Sequence, residues 1–144
     1  MAQQNFSATV DQWVRETKER MEAVFKESAQ RVISDMQEPV GAGGNMPVDT
    51  GFLRASLRAS VNEPSMSFTF RPDEGGAYRY EATQVALTIA GADLGDTIYA
   101  VYSANYAHHV EYGAQGRAPR AFVRLAAQKW PQIVNQVALE ARSR

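Results

Sequence analysis

The chain contains no cysteine, so a disulfide framework, a thiolate metal site and a cysteine nucleophile are all excluded. Histidine is nearly absent too, limited to the adjacent pair His108 and His109. No apolar stretch approaches the roughly 18 to 20 residues that a bilayer span requires. The N-terminus, MAQQNFSATVDQW, lacks a basic start followed by an apolar run. The expectation is therefore a soluble protein that makes no membrane contact and stays in the cytoplasm after synthesis. The GxSxG, GxxxxGK, GxGxxG and HExxH patterns are missing as well, and with them the usual marks of acyl transfer, phosphate cradling, dinucleotide binding and metalloprotease chemistry.

What remains is ordinary globular material: 144 residues, 44% hydrophobic and 22% charged. That composition is too apolar for a disordered chain, and the length suits one domain over residues 1–144. The net charge of −1 hides an uneven spread. From Arg117 to Arg144 six basic residues face Glu140 alone, whereas from Asn62 to Asp96 six acids face Arg71 and Arg79. Two solvated surfaces would account for this. So would complementary faces on neighbouring subunits, or a basic face turned toward nucleic acid.

Along the chain, Val10, Trp13, Val14, Met21, Val24, Phe25, Ala29, Val32, Ile33 and Met36 recur at the spacing of one helix face, which predicts a long amphipathic helix over 7–38. Thr9 or Ser7 would cap it and Pro39 would end it. Such a helix is too long to bury its whole stripe on short strands, so part of it is expected to pack on another subunit. Residues 39–50, rich in glycine and proline, read as a mobile loop, and Asp49-Thr50-Gly51 as a corner capped by Asp49 or Thr50. Four strands are expected in the sheet region over 51–113: Ser56 to Val61, Ser65 to Arg71, Gln84 to Ala90 and Thr97 to Ser103. A basic loop and a C-terminal helix fill 114–144, with Pro119 in the first turn of the helix and Pro131 breaking it near Lys129 and Trp130. The fold class read from this order is α+β, with a long N-terminal helix and a C-terminal helix packed on an antiparallel sheet of about four strands.

Chemistry has few footholds. His108, His109 and Glu111 could begin a metal site, and a small metallohydrolase is one alternative function. Adjacent histidines, however, point to different sides of a helix or strand, and further ligands would have to be carboxylates from elsewhere. Asp73 and Glu74 lie in a Gly-rich turn and read as solvated. Tyr99, Tyr102, Tyr106 and Tyr112 could stack on bases, although aromatic residues on a strand face usually belong to a core.

Three segments together carry a resemblance: Pro47-Val-Asp-Thr-Gly-Phe-Leu-Arg-Ala-Ser-Leu57, Tyr106-Ala-His-His-Val-Glu-Tyr-Gly113 and Arg117-Ala-Pro-Arg-Ala-Phe-Val-Arg124. In order and content they resemble the tail-component family of lambda-like siphophages, also called neck or tail-completion proteins, over roughly residues 10–140. One departure is that Arg120 and Ala121 intervene between Pro119 and Phe122. The resemblance implies a non-enzymatic virion protein that needs no cofactor. It implies a six-fold ring of identical copies, assembled in the host cytoplasm, that joins the head-closure or connector proteins to the tail terminator or tail tube, with phage DNA passing through its lumen. Candidate contact residues toward a neighbouring subunit or the lumen are Arg117, Arg120, Arg124, Met46, Asp49, Thr50, Gly51 and Glu111. Glu111 is expected at the edge of the sheet, with Tyr106, Val110 and Tyr112 packing inward. A nucleic-acid-binding module using the basic C-terminal face is the other alternative.

Overall fold

The computed structural model describes residues 2–49, 51–64 and 78–143. Helix α1 (Ala2–Gln37) begins before Ser7, the expected start. Thr9 is no cap but an interior residue, its hydroxyl donating to the Asn5 carbonyl at 2.7 Å. The helix stops before Pro39, since a residue preceding proline is pushed out of the α region. Glu22–Lys26 and Glu27–Arg31 form ion pairs along its outer face. Burial along α1 is one-sided in a second sense. Residues 5–16 are exposed throughout, while Ala29, Ile33 and Met36 are buried.

After Pro39 the chain folds back through a 3-10 turn, Val40–Ala42. The Val40 amide donates to the Met46 carbonyl at 3.0 Å and the Met46 amide to the Glu38 carbonyl at 3.1 Å, so the described part of the Gly-rich loop is closed by its own hydrogen bonds. Met46, expected at a contact surface, is fully buried in the core. Helix α2 (Phe52–Ala55) leads into strand β1 (Leu57–Val61), then come α3 (Ala82–Ala90), strand β2 (Ile98–Tyr102), α4 (Ala107–Tyr112), α5 (Phe122–Gln128) and α6 (Trp130–Arg142).

The class is α+β, but among the described residues the sheet has two strands, antiparallel, with Leu57 opposite Tyr102 and Val61 opposite Ile98. The strand expected over 65–71 lies outside the described residues. The one expected over 84–90 is helix α3. Apolar alternation suggested a strand because Val85, Leu87 and Ile89 are two apart; in the fold Val85 and Ile89 are buried one helical turn apart while Leu87 is 68% exposed. Helix α3 also supplies what a further strand would have supplied. The Gln84 amide group accepts from the Ala59 N–H at 3.2 Å and donates to the Ala59 carbonyl at 2.8 Å, satisfying the backbone groups at the middle of β1 that face away from β2.

The main core gathers Ile33 and Met36 from α1, Leu57 and Ala59 from β1, Val85 and Ile89 from α3 and Ala126 from α5. A second cluster holds Met46, Phe52, Leu53, Ala104 and Phe122, and Tyr102 and Val123 pack against both. The expected C-terminal helix is two helices. The break falls at Lys129, with Pro131 at the start of α6 where a missing N–H costs nothing. Helix α6 rests on α1 rather than on the sheet, pinned by Arg31–Glu140 at 2.6 Å and, at the junction that precedes it, by Lys129–Asp35 at 3.2 Å.

Tyr102 ties the sheet to the end of α1. Its hydroxyl donates to the Gln37 side chain at 2.5 Å, while Gln37 and Arg54 exchange two side-chain to backbone hydrogen bonds of 2.9 Å. Burial pushes the Tyr102 phenol far above its ordinary value. The folded state thus keeps a proton that the unfolded chain loses near pH 10, so the stabilisation is whole below that pH and declines above it. Urea unfolding is expected to show stability falling above about pH 10 by roughly 1.4 kcal/mol per pH unit for this group. Tyr102→Phe should be weaker at pH 8 by about 1 kcal/mol through the lost hydrogen bond, with a shallower alkaline decline.

Candidate functional site

The three segments that carry the sequence resemblance, the first of them some fifty residues before the other two, meet at the end of the sheet where β1 begins and β2 ends. In the first, Gly51 adopts φ 85° and its backbone lies so close to the Tyr78 carbonyl that a Cβ would stand 2.7 Å from that oxygen. Only glycine fits this corner without displacement. Gly51 is itself the N-cap of α2, with no side-chain cap, and Asp49 is exposed, so the expected Asp49 cap does not form. Thr50 lies outside the described residues. Phe52 packs edge-on to Tyr78 at 4.9 Å and stacks near Tyr106 at 6.0 Å, joining the first segment to the second. Arg54 turns inward to Gln37 and lies over the Tyr80 ring at 5.2 Å.

The second and third segments are locked by one carboxylate. Glu111, expected at an edge, is 6% exposed. Its Oε2 accepts from the Val123 amide at 2.9 Å, and its Oε1 accepts from the Arg124 amide at 2.9 Å and from Arg124 Nε at 3.0 Å. The Arg124 guanidinium also donates to the Glu111 carbonyl at 2.9 Å and lies over the Tyr112 ring at 4.3 Å. Glu111 therefore caps a helix to which it does not belong, satisfying the first amides of α5 and placing a negative charge at its positive end. The residue before α5, Ala121, is left-handed at φ 51° and has no capping side chain. Backbone bonds from Arg120 to Val110 and from Ala121 to Glu111, at 3.0 and 3.1 Å, hold that turn. This tight turn is why Pro119 sits before the helix rather than in its first turn.

Two expectations change as a result. Arg124 is no free contact residue, because it neutralises the buried carboxylate, and an arginine at this helix start does serve stability. Tyr112 remains 53% exposed, whereas Tyr106 and Val110 pack on the second cluster as expected. Both Glu111 oxygens are occupied by N–H donors, so His108, His109 and Glu111 do not converge as ligands. Among the described residues no group of three histidine, aspartate or glutamate side chains could hold a metal. His108 instead lies 4.8 Å from Tyr112, ring to ring.

An open groove of about 990 Å³ runs between the three segments. Phe52, Leu53, Tyr106 and Val110 floor it, and His109, Arg117 and Arg120 stand on its rim with Asp49 and Gly51. Arg117 and Arg120 are exposed. The turn carrying them is kept narrow by Gly113, at φ 85°, where a Cβ would stand 2.7 Å from the Arg117 carbonyl. Gln37 and Gln84, which hold the site's scaffold, gave no signal in the sequence, since isolated glutamines carry no pattern. Among the described residues no helix is long and apolar enough to cross a membrane.

The arginines of the third segment should separate cleanly by stability. Glu111→Gln turns one acceptor into a donor facing an amide and leaves Arg124 without its counter-charge. It is expected to cost about 2 to 3 kcal/mol in urea unfolding, given the half-exposed arginine. Arg117→Ala and Arg120→Ala, which leave the carboxylate untouched, should each stay within about 0.5 kcal/mol of the parent.

Compared with models of protein families, with curated proteins and with solved structures, the chain has no match.

Proposed function

We propose that this chain is a structural subunit of a tailed-phage neck, one of a ring of identical copies that joins the head-closure or connector proteins to the tail terminator or tail tube. The observation that carries the reading is the meeting of the three resembling segments around one groove. Segment 47–57 is distant in sequence from the neighbouring segments 106–113 and 117–124, yet the three build one corner from Gly51, Glu111, Gly113 and Arg124. The inward-facing members of the segments explain themselves as scaffold. What the scaffold presents outward is a rim bearing Arg117 and Arg120 over an apolar floor. No catalytic step is assigned to it. Its role is to meet negative charge, either acidic residues of an adjoining ring or subunit, or the phosphates of DNA in the lumen. One exposed ion pair contributes little, and the same pair repeated around a ring adds up.

The double variant Arg117→Ala/Arg120→Ala is expected to keep the parent's circular dichroism and melting temperature. It should sharply reduce the joining of heads to tails when it complements a phage lacking the chain. Full phage yield from that variant would refute the reading of this rim. Steeply salt-dependent binding of the parent to duplex DNA, lost in the variant, would assign the rim to phosphates; binding unaffected by the substitutions would assign it to protein.

A further inference from the structure

The first half of α1 is a helix with an apolar stripe that no described residue covers. From Phe6 the stripe steps four residues to Val10 and from there three to Trp13 and four to Val14, and Phe6 and Trp13 are 72% and 64% exposed. An aromatic pair so placed is costly to leave in water. The molecule also carries a surface shaped to cover it. Where α1 and α6 pack, they form a trough open along its length, lined by Met21, Val24 and Phe25 from α1 and Trp130, Val134 and Ala138 from α6. Two helices side by side leave the groove in which a third helix seats. The lining from Thr17 to Ser28 runs about 16 Å and the stripe from Phe6 to Val14 about 12 Å, so the two match in length. Charge agrees as well. The charged residues of the trough are Arg20 and Arg142, with no acid among its lining, whereas Asp11 and Glu16 flank the stripe beside a single base, Arg15.

The arm cannot fill its own trough, because residues 2–37 are one unbroken helix and the stripe lies beyond the end of the lining. We propose that the α1 arm of one copy docks in the α1/α6 trough of a second copy of this chain, making a three-helix packing across the subunit boundary. Stripe and trough are different surfaces, so each copy gives one contact and receives another, a head-to-tail arrangement that can propagate around a ring. The proposal deepens the ring reading and rests on it for closure of the ring; the contact itself requires only a second copy.

Because the chain has no cysteine, single introduced thiols report on this contact without background. Val10→Cys and Ala138→Cys are made as separate proteins, mixed, and oxidised at tens of micromolar. The mixture is expected to give a dimer band joining the two variants, either protein alone should give almost none, and adding Trp13→Glu to the first should abolish the band. A second pair, Trp13→Cys with Val134→Cys, repeats the test should one variant fail to fold by circular dichroism. Cross-linking of Val10→Cys to itself would mean that arms pair with arms and would overturn the proposal, as would the absence of any cross-link in both pairs. Light scattering on the same parent protein keeps the two readings apart. A cross-linking contact in a species that never closes into a ring leaves the docking intact and defeats the ring, while a ring without the cross-link does the reverse.

Discussion

A carboxylate buried under the start of a helix governs the corner where segments 47–57, 106–113 and 117–124 meet. Glu111 would be ruinously placed if it were alone, since a buried charge without partners costs several kcal/mol. It is tolerated because three N–H donors converge on it, two of them backbone amides that α5 could not satisfy from within. The same bonds position Phe122, whose ring packs edge-on against Tyr102 at 5.1 Å. Through Tyr102 the arrangement reaches Gln37 and the end of α1. Helix start, second core cluster, sheet and long helix are thus mechanically one unit, and the open rim at Arg117 and Arg120 is held in place by that unit.

The sequence made this fold legible wherever a local rule acted alone. Helix α1, the stop at Pro39, the break near Pro131, and strands β1 and β2 all follow from periodicity and proline chemistry. It misled where a local pattern had two meanings. Val85, Leu87 and Ile89 satisfy the alternation of a strand, yet Val85 and Ile89 also lie one helical turn apart, and in the fold it is these two that are buried while Gln84 bonds the Ala59 backbone. Pro119 could have opened a helix, and the backbone bonds that fix Arg120 and Ala121 moved the start to Phe122. These deciding contacts join one element to another, which the pattern within a single element does not show.

The site divides along the same line. Gly51 and Gly113 could be read as corners because backbone crowding singles out glycine. The roles of Glu111 and Arg124 were hidden, because a glutamate and an arginine thirteen positions apart look like two surface charges until α4 and α5 are brought together. Met46, near the end of a Gly-rich run, has the look of a contact residue, and the hydrogen bonds closing that loop turn it into the core.

The exposed arm of α1 differs from a flexible tail in one thermodynamic respect. Helix formation is limited by its first turn, which fixes several backbone dihedrals for a single hydrogen bond. Here that nucleus lies in the anchored half, where Ala29, Ile33 and Met36 are held by the core. Each residue toward the N-terminus then adds at propagation cost alone, and the segment melts from its tip inward instead of all at once. A surface that captures the arm acts on a chain end already shaped for it, so little of the binding energy is spent on ordering.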